Sequence, residues 1–384
     1  MMSRCRVWAV GGDDHELRIP FLRRLAKLGF EVTAVGSGAP EPFARAGVPY
    51  LQYPLHRFLD LLADVRSLRR LTALIGEQRP DLVHGFDTKP SLLVPLAVAQ
   101  AGIGRAIRTI NGLGYVFSSR APLALALRPI YRGLQRHVAP RTAMTVFQNS
   151  HDLSYFQTRG MVRPGRGRLI SGAGVDVAQL RAAMPGAEHL ARLRAELQLE
   201  GKTVVTTVAR LTRQKGILEL LEAAAVLHRR HPDLVVLLVG ARESEGPFAV
   251  PAAAIERHRD YVRALGPRRD VPALLALTDI FVLATYREGL SRVLLEAMAA
   301  GRAIVTTRVP GCTDLVRDGW NGFLVAPKAP GELAQAIERL LGCPPLRQEM
   351  GDRSATFVDG FSLDRVVKEH ADLYDEVMGR PCSN

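Results

Sequence analysis

The stretch TVVTTVARLTRQKGILELLEAAAVL, residues 203–227, opens with six β-branched residues, passes through a loop carrying Arg210 and Lys215, and ends in a longer helical pattern. An unbroken β-branched run suits a strand buried on both faces of a parallel sheet, because both of its side-chain rows meet apolar neighbours. The helix that follows would cover one of those faces. Strand, loop and helix together make one repeat of a doubly wound α/β sheet.

The same alternation extends in both directions. CRVWAV (5–10), EVTAV (31–35), DLVHG (81–85), RAIRTI (105–110) and TAMTVF (142–147) precede it, and LVVLLVG (234–240), DIFVLA (279–284) and AIVTT (303–307) follow. Between the two series, RPGRGRLISGAGVD (163–176) is rich in Gly and Arg and reads as a linker. The pattern predicts an N-terminal domain over 1–173 and a second over 174–357. In the C-terminal segment 358–384, Leu363, Val366, Val367, Leu373 and Val377 recur at near-helical spacing, as in an amphipathic helix that packs back on the first domain. A length of 384 residues fits two domains at about 100–200 residues each. Ligands of such sheets bind at the carboxyl ends of strands, and a cleft between two domains is a natural place for one.

The composition, 47% hydrophobic and 23% charged, is that of an ordinary globular α/β protein and excludes disordered and collagen-like chains. With 51 Lys plus Arg against 38 Asp plus Glu, the formal charge of +13 favours anionic partners such as nucleotides, nucleic acid or acidic lipid. Cys5, Cys312, Cys343 and Cys382 lack the paired spacing of zinc or redox sites, so a reducing cytoplasm is expected. The N-terminal apolar run is too short for a secretory signal, and no stretch reaches the ~18 apolar residues of a membrane-spanning helix.

Chemistry concentrates in YREGLSRVLLEAMAAGRAIV, residues 286–305. Glu288 and Gly289 stand at a strand-to-helix turn, Leu290, Val293, Leu294, Ala297 and Met298 form the helix's apolar face, and Glu296 follows two turns on. Alone, these glutamates would be a helix-dipole partner and a surface residue. Arg210 and Lys215, at a strand end just before a helix, supply two cations and backbone N–H groups suited to a diphosphate, although loop cations are ordinarily just solvated. Gly240, ending LVVLLVG, permits close backbone approach to a ligand.

In that order, Arg210, Lys215, Gly240, RRDVPALLALTDIFVLATYREG and the two glutamates resemble the nucleotide-sugar domain of a retaining glycosyltransferase of family four, which has the two-domain GT-B fold, two Rossmann-like sheets facing across a cleft. The resemblance implies that Glu288 contacts donor-sugar hydroxyls and that Glu296 accepts from both ribose hydroxyls, a vicinal diol matched to two carboxylate oxygens. Backbone N–H groups around Gly289, Leu290 and Ser291 would meet the phosphates, and a proline is common in the family where Ser291 stands. GGDDHELRIPFLRRLAKLGFEVTAV, DLVHGFDTKPSLL and RTINGLGYVF resemble the subgroup that extends polyprenyl-diphosphate-linked sugars for bacterial surface polysaccharides or glycans. Gly11 and Gly12 would then face the donor phosphates. Asn111 occupies a position where the family often has a histidine, which leaves that histidine's contact with the donor sugar open.

Acceptor-binding candidates are His15, His84, Lys89 and Asn111, against the ordinary readings of a structural histidine and an exposed lysine. In SSRAPLALALRPIYRGLQRHVAPR (118–141), Arg128, Arg132 and Arg136 edge an apolar stripe of Leu123, Leu125, Leu127, Ile130 and Leu134. That pattern suits either an anionic membrane surface or a core-packed helix. The implied activity is transfer of a hexose or N-acetylhexosamine from a nucleoside diphosphate sugar, with UDP the expected nucleotide, to a lipid-linked acceptor at the inner face of the membrane. No cofactor or metal is expected, since no paired carboxylates stand near the phosphate site and Asp13 and Asp14 lie in the other domain. A soluble acceptor, or nucleotide-sugar binding without catalysis, remains open. The arginines are too dispersed, and too free of interleaved aromatics, to suggest a nucleic-acid partner.

Overall fold

The computed structural model describes residues 4–12, 15–56, 60–112, 122–172, 174–242, 246 and 248–380. The chain divides into two units, Met1–Gly174 together with Leu363–Asn384, and Val175–Ser362.

In the first unit, β1 (Arg6–Val10), β2 (Glu31–Gly36), β3 (Tyr50–Gln52), β4 (Leu82–Gly85), β5 (Arg105–Ile110), β6 (Met144–Phe147) and β7 (Gly167–Leu169) form a parallel sheet in the order β3-β2-β1-β4-β5-β6-β7. The second sheet, also parallel, contains β8 (Thr203–Val208), β9 (Leu234–Val239), β10 (Val262–Gly266), β11 (Ile280–Leu283), β12 (Ala303–Thr307) and β13 (Gly322–Val325), in the order β10-β9-β8-β11-β12-β13. The strand read first in the sequence, β8, is central: Val204, Val205, Thr206 and Thr207 are all buried, and β9 beside it is buried throughout. The strands that apolar runs did not mark, β3, β7, β10 and β13, are the four sheet edges.

Strand order reverses direction between β1 and β4 and again between β8 and β11. Connections leave such a point toward opposite sides, so the loops beyond the carboxyl ends splay apart and leave a crevice. Each unit therefore has one such reversal point.

The helix Leu363–Met378 belongs to the first unit. Leu363, Val366, Val367, Leu373 and Val377 join Val7, Ala9, Phe21 and Leu22 in a single core cluster. Arg24 to Asp364 (2.6 Å) and Arg168 to Glu376 (2.5 Å) flank that core. At roughly 1.5–3 kcal/mol per buried aliphatic side chain, these five contribute as much as the ~5–15 kcal/mol net stability of a typical domain. The preceding turn, Val358–Phe361, was expected to begin the returning segment. It stays with the second unit instead, because Val358 is fully buried against Leu315, Val316 and Met298 there.

Candidate active site

At the β8/β11 crossing, the loop after β8 runs through a short 3-10 turn, Arg213–Lys215, into the helix Ile217–His228. The loop after β11 leads to Ser291 and the helix Arg292–Ala299. The two loops are pinned together, Tyr286 N–H donating to the Gln214 carbonyl at 2.9 Å. Across them Lys215 Nζ meets Glu288 Oε1 at 2.5 Å, with the side chains only 20% and 14% exposed. Largely shielded from solvent, this pair fixes both long side chains at the crossing, and loss of either partner would leave a half-buried charge. Arg210 is exposed on the same edge.

Glu296 lies on the helix Arg292–Ala299, where its Oε1 accepts from Arg292 Nε at 3.0 Å and its side chain is 18% exposed. Ser291 takes the N-cap position in extended conformation, with no side-chain cap bond, and leaves the amides that follow directed outward from the turn. Leu290 is half-buried. Gly240 has φ +145, and a Cβ there would fall 1.9 Å from the Ala209 carbonyl oxygen, so this glycine lets β9's end close on the loop bearing Arg210. Gly311 presses against the turn from behind: its Cβ would fall 2.4 Å from the Gly289 carbonyl oxygen. Beneath the same turn Cys312 is fully buried, its thiol pKa pushed up by burial and by the nearby Glu288. Tyr286, whose hydroxyl donates to Glu219, has its own pKa raised by burial and by that carboxylate. Sequence reasoning singled out neither residue, since both look like ordinary core positions.

The β1/β4 crossing is built differently. Gly11 N–H donates to the Val35 carbonyl at 2.9 Å, and Gly12 N–H to Asp87 Oδ2 at 3.1 Å. Both amides of this loop are thus committed within the protein. Gly11 is required by His15: a Cβ would fall 2.1 Å from the ring's Nδ1. Two of the acceptor candidates are corrected here. His15 is 2% exposed and lies against Phe43, and burial, reinforced by Arg18, lowers its pKa to about 4. His84 is fully buried, with Nδ1 2.7 Å from Tyr374 Oη and Nε2 2.7 Å from Thr109 Oγ1. Both are buried, neutral rings, and His84 has both of its nitrogens engaged within the protein. Lys89 Nζ pairs with Asp64 Oδ1 at 2.5 Å, both side chains about four-fifths buried.

Asn111 is half-buried and donates through Nδ2 to Asp87 Oδ1 at 2.6 Å. Arg18 Nη2 reaches the same oxygen at 2.9 Å. Burial opposes ionisation of Asp87, but Arg18 and the Gly12 N–H outweigh it and hold the carboxyl below its usual range. Asp87 and Arg18 went unremarked in the sequence. The available signal was that GFDTKP puts a carboxylate two residues beyond a strand end. Asp13 and Asp14 lie outside the described residues.

On the helix Pro122–Val138, Leu125, Ile130 and Leu134 are exposed, Arg132 Nε donates to Tyr155 Oη at 2.9 Å, and Arg136 Nε to the Arg159 carbonyl at 2.8 Å. Residues 118–121 and the Leu123 side chain lie outside the description. Among the described residues no helix is long and apolar enough to cross a membrane.

Two family descriptions match the chain, Glycosyltransferase Family 4 over residues 21–179 and Glycosyl transferases group 1 over 202–343. The chain is 25% identical over 327 residues to the UDP-Gal:alpha-D-GlcNAc-diphosphoundecaprenol alpha-1,3-galactosyltransferase of Escherichia coli, covering 84% of this chain and 82% of that protein. It is 23% identical over 371 residues to the N,N'-diacetylbacillosaminyl-diphospho-undecaprenol alpha-1,3-N-acetylgalactosaminyltransferase of Campylobacter jejuni, covering 96% and 97%. The crystal structure of HepE from Anabaena in complex with UDP superposes with a TM-score of 0.78 at 19% identity, over 97% of this chain and 100% of that one.

Proposed function

The chain is a glycosyltransferase of family 4 with the GT-B fold, and from that premise we propose that it moves a hexose or N-acetylhexosamine from a UDP-sugar to a lipid-linked sugar, retaining the anomeric configuration. The observation that carries this reading is the Lys215–Glu288 pair at the β8/β11 crossing, with Arg210 and Glu296 on the same strand-end edge. As the bond from sugar to diphosphate breaks, negative charge grows on the diphosphate and has to be met by groups already in place. Lys215, Arg210 and the amides at the start of the helix Arg292–Ala299 meet it. Arg210 adds a fixed two-pronged fork matched to phosphate oxygens. Glu288, held beside Lys215, accepts from hydroxyls of the transferred sugar. Glu296 exchanges Arg292 for the ribose diol.

The Escherichia and Campylobacter proteins are named for sugars carried on undecaprenyl diphosphate, and the first for UDP-galactose as donor, which supports the same substrate classes here. A peripheral place on the membrane is supported by the first unit. The helix Leu61–Gln78 exposes Leu61 (74%), Leu62 (73%) and Val65 beside Arg66, Arg69 and Arg70. Like Pro122–Val138, it follows a strand of the first sheet in the chain. Exposed leucines flanked by arginines fit an anionic interface.

The test incubates purified protein with a panel of UDP-sugars and a prenyl-diphosphate-linked N-acetylhexosamine, with and without EDTA. Product carrying the donor's anomeric configuration, formed equally in EDTA, is expected. Transfer only to soluble sugars would overturn the acceptor assignment. Activity abolished by EDTA and restored by manganese would overturn the cationic role of Arg210 and Lys215, and point to Asp13 and Asp14 as ligands.

A further inference from the structure

The side chains around Asn111 are left without a role by the reading above. Asp87 sits at φ +70, a left-handed conformation that a non-glycine residue holds only where its surroundings impose it. Its oxygens tie three segments together. Oδ1 accepts from Arg18 Nη2 at 2.9 Å and from Asn111 Nδ2 at 2.6 Å, while Oδ2 accepts from Gly12 N–H at 3.1 Å. From the other side, Gln148 Nε2 lies 3.3 Å from Asn111 Oδ1. The Asn111 amide is therefore oriented, its NH₂ toward a carboxylate and its carbonyl toward an amide donor.

Hydrogen-bond capacity shows what remains. Among the described residues Oδ1 of Asp87 is filled, whereas Oδ2 keeps one acceptor position and Asn111 keeps one N–H and one acceptor position. Arg18 neutralises Asp87, so the cluster has no surplus positive charge with which to hold a phosphate. One donor and two acceptors at fixed positions, on a carboxylate side chain that is 32% exposed, match the hydroxyl groups of a sugar. We propose that this cluster reads hydroxyls of the acceptor's sugar, with Asn111 as the contact and Asp87 as the positioning residue that sets the polarity of its amide. In naming the ligand an acceptor, the proposal rests on the function proposed above.

The probe is a short-chain prenyl-diphosphate N-acetylglucosamine, its affinity measured by calorimetry alongside that of UDP. Asp87→Asn and Asn111→Asp should each weaken probe binding about tenfold, the effect of one lost charge-assisted hydrogen bond. The double variant Asp87→Asn/Asn111→Asp restores a donor facing a carboxylate and should recover most of that loss. UDP affinity should not move, because the amide in Asp87→Asn still offers Gly12 N–H an oxygen. Parent-like probe affinity in both single variants overturns the proposal. So does a double variant weaker than either single, or a parent that does not bind the probe. Should Asp87→Asn fail to fold, Asn111→Ala decides: unchanged probe affinity refutes the contact. Binding with the predicted pattern but no transfer would sink the function proposed above and leave this cluster standing.

Discussion

Replacing Gly311 by alanine tests how tightly the turn that carries Glu288 is braced. Gly311 has φ +81, and a Cβ there would fall 2.4 Å from the Gly289 carbonyl oxygen and 2.9 Å from Glu288 Cβ. Gly319, in the same unit, has φ +74 but nothing within 4 Å of its Cβ, so it isolates the cost of the left-handed backbone alone. That cost is about 1–2 kcal/mol for an L-residue. At Gly311 the obstruction is backbone, which cannot rotate away, and overpacking adds roughly 1–3 kcal/mol. Gly311→Ala should therefore cost about 2–5 kcal/mol against about 1–2 for Gly319→Ala. At ~2–4 °C per kcal/mol for a unit of this size, differential scanning calorimetry should resolve the two. The atoms displaced are those of Glu288 and Gly289, so UDP-sugar affinity should drop in Gly311→Ala and hold in Gly319→Ala. Equal melting shifts would refute the steric reasoning. A destabilised Gly311→Ala with parental donor affinity would show that the brace serves the fold and not the site.

Glu296→Ala should weaken nucleotide-sugar binding by ~1.5–3 kcal/mol, the worth of a hydrogen bond to a charged group, and unchanged calorimetric affinity would remove it from the ribose site. Stability of the first unit should fall with acid. His15 and His370 are held neutral in the folded protein, their pKa values lowered by burial to about 4, whereas the unfolded chain protonates near 6.5. The unfolded state thus binds the extra protons, and stability drops by about 1.4 kcal/mol per pH unit for each ring between 6.5 and 4. His370→Phe, which can keep the edge contact with Phe21, should flatten a chemical-denaturation profile over that window by one ring's share; an unaltered slope would contradict it. Leu61→Ser combined with Leu62→Ser should reduce sedimentation with anionic vesicles by removing about 1.5–3 kcal/mol of apolar transfer per leucine, and undiminished sedimentation would exclude this helix from the interface.

Which parts were legible follows from how each strand is buried. The central strands, such as Leu234–Val239, are apolar on both faces and read as unbroken runs. Edge strands such as Tyr50–Gln52 and Gly167–Leu169 are three residues long and not buried, so little in their composition marks them. The site divides in the same way. Local spacing places Arg210, Lys215 and Glu288 at strand-to-helix turns and Glu296 two turns on, and the family resemblance is what joins them into one candidate site. That Lys215 and Glu288, 73 residues apart, would pair depended on β8 and β11 being neighbours, which no local pattern states. His84 was misread because its partner Tyr374 arrives from 290 residues away, on the helix that returns to the first unit. Asp87 escaped notice because its significance lies in its backbone angle and in three partners from three other segments.

That returning helix has a consequence for biosynthesis. During translation Val175–Ser362 emerges in full before Leu363–Met378 exists, so the second unit can close its core while the first still exposes the face of Val7, Ala9, Phe21 and Leu22 that the last helix will cover. The half of the protein made first is the half finished last. A nonsense codon shortly after residue 362 would spare the second unit and strip the core from the unit synthesised first, leaving a chain half of which is complete but which is prone to aggregate through its earliest residues.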